Sequence, residues 1–482
     1  MTPERRPPWN AVLALAALAA GARALAFAGT DLYADEAYYW LWSLRPAAGY
    51  FDHPPLVAWL IALSAPLVRG ELGVRLLFVV AGALTVVFAA LLARELSPEP
   101  RAPLLGALLA AAAPLLSVLG ALALPDAPVA AAYTAALWLL ARAQGRRWVL
   151  AGVAVGVALL AKYSAALLAP ALLLLVAWDA ELRRELRTPW PWLGGAVAVA
   201  IFAPCLLWNA RHDWVSLRFQ LGHGFAANAT LRSLAEYVVG QLAGAGPVAL
   251  VAGGAFLFGA RSSAAKRVAA GVLLPLAVTT YSAFRGRVEA NWPALVYPAL
   301  AAAAGAALAR SPAPRRARAL ALGSLALTAL LLAGFAIELR HPRLLAGTLA
   351  VERFHGWRDA AAEVRALTVR GCAEVGCDAK DPFTFAVSYQ VASELAFYGG
   401  FRRLGPASER RSQLDLWDER PAPGEAFLFV GSADGVPDAF RREHDASGEG
   451  AAGRFTVRFG GAPLRSLSVT PFAHFAGRAP GE

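Results

Sequence analysis

The chain is poor in charged residues and in cysteine. Only 16% of its 482 residues are charged, and three are cysteines. So few cysteines exclude a disulfide scaffold or a cysteine-rich metal site as the framework of the whole chain. The sequence also lacks a Walker loop, a Rossmann glycine pattern and an HExxH zinc motif. Nucleotide and metalloprotease chemistry therefore have no support, and no nucleotide cofactor is expected.

Apolar side chains dominate the composition. They make up 58% of the residues, and the mean hydropathy is +0.49, more than a soluble globular protein of this length uses. A net charge of +11 would suggest a nucleic-acid partner in a soluble chain. Here the arginines stand between apolar runs, as the positive-inside rule requires, so no nucleic acid is expected. The composition predicts a polytopic α-helical membrane protein whose partners include membrane lipids.

The apolar runs predict about eleven transmembrane helices, each near the length that crosses the hydrocarbon layer. They lie at 9–28, 71–95, 103–123, 128–142, 148–161, 165–178, 191–208, 236–259, 268–284, 290–309 and 317–337. The first run is interpreted as an uncleaved helix and not as a signal peptide. Residues 54–68 are apolar but short and begin with two prolines, so we expect an interfacial helix within an outer loop, 29–70.

The arginines assign the two sides of the membrane. If 54–68 lies in the interface, the basic clusters all fall on one side, which is then cytoplasmic. These clusters lie at 5–6, 94–101, 142–147, 183–187, 261–267 and 310–318. Most acidic, amide and imidazole groups of the loops fall on the opposite side, where we expect a site. The sequence thus predicts a multi-pass protein of the cytoplasmic (inner) membrane with its active site outside.

Hydropathy falls after about residue 338. The chain therefore divides into a transmembrane domain, 1–338, and a small soluble α/β domain, 339–482, predicted to be extracytoplasmic. Cys372 and Cys377 lie in this second domain. They are either a disulfide, as an oxidising compartment allows, or two free thiols.

The stretch "ADEAYYW" places Asp35 and Glu36 among tyrosines and a tryptophan at the end of the first helix. Such a carboxylate is partly desolvated, which raises its proton affinity and suits a general base. A metal-directing carboxylate is a second functional interpretation. The alternative is an interfacial aromatic belt with solvated acids.

The stretch "GYFDHPPL" adds Asp52 and His53, which the two following prolines hold rigidly. An acid beside an imidazole is able to bind a divalent metal cation or a phosphate. A polar turn before an amphipathic helix is the alternative interpretation.

Two further charged residues stand at apolar helices. Asp126 in "ALPDAPV" is either a helix N-cap or part of the site on the outer face. Lys162 in "LLAKYSAALL", next to Tyr163, is set inside an apolar run, and the chain has only three lysines. A buried ammonium is costly unless it is paired, for instance with a lipid phosphate, or snorkels to the interface.

Two outer loops combine basic, polar and aromatic side chains. These groups suit sugar stacking and phosphate binding, although an ordinary polar surface loop is equally consistent with them. The candidate substrate-binding residues of these loops are Arg211, His212, Arg218, Gln220, Glu289 and Trp292.

The order of these motifs resembles a known family. "DEAYYW", "YFDHPPL", "PDAP", "AKYS", "HDWVSLRFQ", "EANWPA" and "YQVASELAFYGG" together are similar to bacterial membrane glycosyltransferases of family 39. These are GT-C enzymes related to protein O-mannosyltransferases and to the lipid A aminoarabinose transferase. The resemblance implies inverting transfer of a sugar from a polyprenyl-phosphate donor to a lipid, glycan or protein acceptor.

The resemblance also implies roles for individual residues. Asp35 matches the acid of the family's "DE" motif, with Glu36 beside it, and Asp126 matches the acid of the "PDA" motif. Relatives often carry an acid and a lysine where this chain has Asp52 and His53. The resemblance therefore leaves two roles open for His53, phosphate binding and metal binding.

The remaining roles concern the donor phosphate, for which Lys162 with Arg211 or Arg218 would be the contacts. A lipid or solute transporter, or a membrane scaffold, are the rival functions.

Overall fold

The computed structural model describes residues 7–224, 230–407 and 410–478. In chain order its first helices are α1 (Trp9–Ala26), α2 (Ala34–Ser43), α3 (Leu56–Ser64), α4 (Glu71–Leu96), α5 (Ala102–Ala111), α6 (Pro114–Leu119), α7 (Asp126–Ala141), α8 (Arg147–Ala161), α9 (Leu168–Leu175), α10 (Ala180–Glu185) and α11 (Pro189–Arg211). They are followed by α12 (Val215–Gly224), α13 (Leu231–Ala245), α14 (Pro247–Phe258), α15 (Ser263–Arg285), α16 (Tyr297–Ala309), α17 (Pro314–Arg340), α18 (Leu349–Glu352), α19 (Trp357–Val375), α20 (Tyr389–Gly399), α21 (Gln413–Trp417) and α22 (Asp438–Glu443). Short 3-10 helices at Tyr163–Leu167 and Trp292–Val296 lead into α9 and α16.

Helices cover every apolar run that the sequence predicted to span. Among the described residues, six helical segments are long and apolar enough to cross a membrane, namely α1, α4, α11, α15, α17 and Trp292–Ala309. The pair α13 and α14 is a seventh if it counts as one span. Shorter apolar helices occupy the other four runs, at Ala102–Ala111, Asp126–Ala141, Arg147–Ala161 and Tyr163–Leu175. The chain is a multi-span helical membrane protein, and the number of eleven crossings stays a prediction.

Two predicted helices are interrupted, and each break has a local cause. The run 236–259 is not one helix, because α13 and α14 meet at an angle of 95°. Gly246 has a φ of 82° there, and Pro247 starts α14 without an amide donor. The run 103–123 likewise ends its first helix at Ala111, and Pro114 begins a second. The segment predicted to lie in the interface forms α3, whose nine residues span only about 14 Å.

The structure comprises two compact units. The first contains the described residues of Met1–Ala28 and Ala47–Phe335, and the second those of Gly29–Pro46 and Ala336–Glu482. The stretch with Asp35 and Glu36 therefore belongs to the same unit as the C-terminal part of the chain. The predicted domain boundary after residue 338 stays a prediction.

Glycines allow the helices of the first unit to pack closely. A β-carbon at Gly194 of α11 would overlap the backbone carbonyl of Trp148 in α8, and one at Gly152 of α8 would overlap that of Gly194. Gly305 of α16 is as close to the backbone of Gly106 in α5. Small residues at helix crossings are the usual means of packing in membranes, where lipid is as apolar as the helix surfaces.

One ion pair of the first unit is fully buried. Arg267 of α15 donates from Nε to Asp179 Oδ2 over 3.1 Å, with the two side chains 2% and 1% exposed. Its Nη1 also donates to the carbonyl of Leu140 at the end of α7. Arg267 was grouped with a cytoplasmic basic cluster by its sequence position, but it serves to join α7, α15 and the start of α10.

The second unit contains a mixed β-sheet with helices. Its strands are β1 (Phe383–Ala386), β2 (Leu404–Pro406), β3 (Phe427–Ser432), β4 (His444–Glu449), β5 (Gly453–Phe459) and β6 (Ala462–Arg478). The order is β2-β1-β3-β6-β4, with β5 also paired to β6. β1 is parallel to β2 and β3, whereas β6 is antiparallel to its three neighbours. The predicted α/β domain is thereby confirmed as a mixed-sheet domain.

Apolar clusters and one disulfide stabilise this unit. Phenylalanines of β1, β3, β6 and α22 pack on one face of the sheet, at 383, 385, 427, 429, 440, 472 and 475. α19 and α20 contribute Val364 and Leu395 to a second cluster, which also takes in Leu41 of α2. A disulfide joins Cys372, in the last turn of α19, to Cys377 just beyond the helix, which decides between the two alternatives left open by the sequence.

Candidate active site

Asp126 is the centre of a buried polar network in the first unit. Its Oδ1 accepts a hydrogen bond from Lys162 Nζ over 2.8 Å, and its Oδ2 accepts one from Asn291 Nδ2 over 3.1 Å. The Asp126 and Lys162 side chains are 5% and 13% exposed. Both carboxylate oxygens therefore have a donor, which a buried charge requires.

The three residues meet because each lies where a helix starts or stops. Asp126 is the first residue of α7 and makes no N-cap bond, Lys162 follows the last residue of α8, and Asn291 precedes a 3-10 helix. Polar side chains at such ends leave the apolar faces of the helices intact. Asp126 is thus part of a network rather than a helix cap, and Lys162 is paired within the protein.

Arg23 is a further buried charge near Asp126 that the sequence analysis overlooked. It lies on α1, is 2% exposed, and lines the same small cavity as Asp126. Within the described residues, its Nη1 is buried without a hydrogen-bond partner. Gly82 and Gly120 make room for the guanidinium, since a β-carbon at either would crowd Nη1. A lone arginine in the apolar run "GARALAF" was the available signal.

Tyr163 belongs to a second network beside Lys162. Its hydroxyl bonds Ser216 Oγ over 2.9 Å and accepts from Asn209 Nδ2 over 3.0 Å. Cys205 Sγ lies 3.6 Å from the same hydroxyl. These contacts join the end of α8 to α11 and α12, so Tyr163 has a structural role whether or not it also binds substrate.

Asp52 and His53 lie in a turn that α12 supports. Gln220 donates from Nε2 to the backbone carbonyl of Asp52 over 2.6 Å, and the Asp52 side chain is 4% exposed. Phe51 and Phe219 pack with ring centroids 5.0 Å apart. The structure therefore gives Gln220 a backbone partner. Across the described ranges, no three His, Cys, Asp or Glu side chains group as a metal site.

The remaining loop candidates are more exposed. Arg211, His212 and Arg218 lie on the surface at the end of α11 and on α12. The His212 ring stacks on the Trp208 ring with centroids 4.1 Å apart, a contact that is also expected of an ordinary polar surface loop. Glu289 forms an exposed ion pair with Arg287 at 3.4 Å.

Trp292 is partly buried, and it packs against a small apolar cluster that includes Tyr237.

In the second unit, Asp35 and Glu36 have different environments on the first turn of α2. Glu36 is fully buried, and its Oε2 accepts from the Tyr33 backbone amide over 2.9 Å, which fixes the start of the helix. Asp35 is partly buried, and its Oδ1 accepts from the Tyr389 hydroxyl over 3.3 Å. Asp35 is therefore the more accessible carboxylate of the two.

The pKa of Asp35 lies above its usual range. Burial raises it most, while the Arg410 cation, the Tyr389 hydroxyl and the Arg353 cation lower it, and the charge of Glu36 adds to the rise. A carboxyl with a raised pKa accepts a proton more readily, as a general base must. Tyr389 and Arg410 were not singled out from the sequence, because the Tyr389 hydrogen bond and the Arg410 charge act on Asp35 from distant parts of the chain.

Comparison with known proteins finds a matching family model and a similar curated protein. Residues 52–208, which include Asp126 and Lys162, match the family model described as dolichyl-phosphate-mannose-protein mannosyltransferase. The lipid A galacturonosyltransferase RgtD of Rhizobium johnstonii is 28% identical over 293 residues, or 57% of this chain. The chain spans 60% of the length of that curated relative.

Solved structures share the fold over nearly the whole chain. ArnT from Cupriavidus metallidurans in the apo state superposes with a TM-score of 0.63 at 18% identity, covering 95% of this chain and 97% of ArnT. The same protein bound to undecaprenyl phosphate gives 0.64 at 17% identity, covering 96% and 98%. The resemblance seen in the sequence motifs is confirmed: the chain has the ArnT-like fold, and about a third of it matches the mannosyltransferase family model.

Proposed function

We propose that the protein transfers a sugar from a polyprenyl-phosphate donor to a lipid acceptor, with inversion at the anomeric carbon. The buried Asp126–Lys162 pair inside the family-matched segment carries the proposal, because such a pair is expensive without a function in a membrane protein. A curated relative that is named for action on lipid A supports a lipid A-like acceptor. The bound undecaprenyl phosphate of ArnT supports the donor class.

The chemistry divides into two tasks. A base must take the proton of the acceptor hydroxyl as its oxygen attacks the anomeric carbon, and Asp35 has the exposure and the raised pKa for this. Negative charge develops on the departing polyprenyl phosphate, so cations must be near it. Lys162 is the proposed cation, with Asp126 and Asn291 setting its position, and Arg211 or Arg218 are further candidates.

Asp35→Asn tests the base. The purified protein in nanodiscs would receive undecaprenyl-phosphate-linked galacturonate and lipid A, and product would be measured by mass spectrometry. We expect the variant to lose about 10²- to 10⁴-fold in rate while keeping its affinity for undecaprenyl phosphate. Asp359→Asn, an exposed acid of the same unit, is the matched control and should keep full activity. Full activity of the Asp35 variant would overturn the assignment.

The acceptor and the sugar are tested in cells. Lipid A and surface glycans from strains with and without the gene would be compared by mass spectrometry, and a lipid A species heavier by one sugar is the expected difference. If the strain without the gene lacks a sugar only on a protein or a glycan, the acceptor is that protein or glycan and not a lipid.

We also propose that the protein lies in the cytoplasmic membrane with its second unit outside the cell interior. The basic clusters between the apolar runs support this sidedness through the positive-inside rule. The Cys372–Cys377 disulfide supports an oxidising compartment for the second unit.

A divalent metal at Asp52 and His53 stays a prediction. Two side chains leave most of a coordination sphere to water and phosphate oxygens, as is usual for Mg²⁺ at substrate phosphates. Activity would be measured after treatment with EDTA and after readdition of Mg²⁺. If the metal binds here, His53→Gln should raise the Mg²⁺ concentration needed for half-maximal activity. Full activity in the presence of EDTA would contradict the prediction of a metal site.

Transport of a lipid or solute is the second candidate, and one observation favours it. The 95° break between α13 and α14 interrupts an apolar segment, as in many transporters. Gln241, near this break, donates no bond from its buried Nε2 within the described ranges. Proteoliposomes with fluorescent polyprenyl phosphate separate the candidates, because a transporter moves the lipid across the bilayer without forming a glycosylated product.

A further inference from the structure

The segment that carries Asp35 is held by several parts of the second unit. Asp31 accepts from the Trp357 backbone amide over 2.9 Å, which ties the segment to the start of α19. The Leu32 amide donates to the Tyr398 hydroxyl of α20 over 2.7 Å. The Tyr38 hydroxyl accepts a hydrogen bond from the backbone amide of Gln413, in α21, over 2.5 Å. These contacts fix the backbone on both sides of Asp35.

Tyr389 contacts the Asp35 side chain itself. Its hydroxyl donates to Oδ1 over 3.3 Å, and its ring packs on the Tyr38 ring with centroids 4.4 Å apart. The Arg410 guanidinium lies over the Tyr389 ring, 4.6 Å from its centroid. Tyr389 is the first residue of α20, whose start is capped by Ser388. A ring fixed by a helix start, an aromatic neighbour and a cation has little freedom to move its hydroxyl.

We propose that Tyr389 is a positioning residue for Asp35. Its hydroxyl binds one carboxylate oxygen and thereby sets the direction of the other, which is left to meet the acceptor hydroxyl. A hydrogen bond donated to a carboxylate also favours the ionised form, which is the form that acts as a base. This inference rests on the proposed function, because it needs Asp35 to be the base.

The charged groups around Asp35 act in both directions. Arg410 and Arg353 favour the ionised carboxylate, and both side chains are exposed. Glu36, its neighbour on α2, opposes ionisation. Loss of the Tyr389 hydroxyl therefore raises the pKa of Asp35 further, and loss of the Arg410 charge acts in the same direction.

The test compares two tyrosines of the same helix. Tyr389→Phe removes the bond to Asp35, whereas Tyr398→Phe removes a bond to the backbone of the same segment. The pH dependence of kcat/KM would be measured with undecaprenyl-phosphate-linked galacturonate and lipid A. We expect the acid limb to move up by about one pH unit in Tyr389→Phe and to stay in place in Tyr398→Phe.

A second variant keeps the test decisive if Tyr389→Phe fails to fold. Arg410 is exposed, so Arg410→Gln should fold and should move the acid limb in the same direction. Equal acid limbs in the wild type, Tyr389→Phe and Arg410→Gln would overturn the inference, as would equal shifts in the two tyrosine variants. The proposed function fails by a different result, namely an Asp35→Asn variant that is active at every pH.

Discussion

Lys162 donates to Asp126 over 2.8 Å, and the pair lies in the family-matched segment. The sequence analysis had singled out each residue alone and had expected Lys162 to meet a donor phosphate. The two expectations are compatible, because an ammonium carries three donor hydrogens and Asp126 uses one of them. A phosphate that approaches Lys162 would find a cation already held in place by a carboxylate.

The first prediction separates the charge of Lys162 from its role in folding. Lys162→Met leaves the buried Asp126 carboxylate with Asn291, so we expect a loss of about 3–5 kcal/mol in stability. Adding Asp126→Asn removes the uncompensated charge and should restore most of that stability. Thermal unfolding in detergent measures both effects.

Donor binding gives the second readout on the same variants. The stabilised double variant should still bind undecaprenyl phosphate poorly, because the cation is gone. Restored binding together with restored stability would leave Lys162 as a purely structural partner of Asp126 and return the phosphate to Arg211 or Arg218.

The second prediction uses two adjacent glycines of α11. A β-carbon at Gly194 would overlap the Trp148 carbonyl, while one at Gly195 would meet no atom within 4 Å. Gly194→Ala should therefore lower stability by about 1–3 kcal/mol through overpacking. Gly195→Ala is the matched control and should raise helix stability by about 0.5–1 kcal/mol. Equal unfolding temperatures for the two variants would contradict the close packing of α8 and α11.

The third prediction concerns the sides of the membrane. Arg316 lies in a predicted cytoplasmic cluster and Ser466 on β6, and both are exposed. On intact cells a membrane-impermeant maleimide should label Ser466→Cys and spare Arg316→Cys until the membrane is opened. The wild type serves as the blank, because its free thiol, Cys205, is buried. Labelling in the reverse pattern would invert the topology.

Hydropathy located the helices because apolar length is a local property of the sequence. It did not show where they break, since an average over a long window passes over one Pro114 or one Gly246–Pro247 step. The signal was nevertheless present in both cases, as a proline that cannot continue a helix. Segment boundaries thus follow better from single residues than from composition.

The site was less predictable than the fold, because its contacts are distant in sequence. Asp126 and Lys162 were identified by type and place, but their pairing spans 36 residues. Asn291 was not among the candidate site residues, and its bond to Asp126 spans 165 residues. Periodicity and spacing report which residues share a helix face, and they contain no information on which helices meet.

The bond between Tyr389 and Asp35 also orders events during synthesis. The two residues are 354 positions apart, so Asp35 leaves the ribosome roughly 20–70 s before Tyr389 at ordinary elongation rates. For most of that interval the segment with Asp35 has none of its partners on α19, α20 and α21, because these helices begin only at Trp357. A newly made chain therefore lacks the contacts that hold the Asp35 segment until its last third has been synthesised and folded. If Asp35 is the base, as proposed, sugar transfer begins only when the polypeptide is nearly complete.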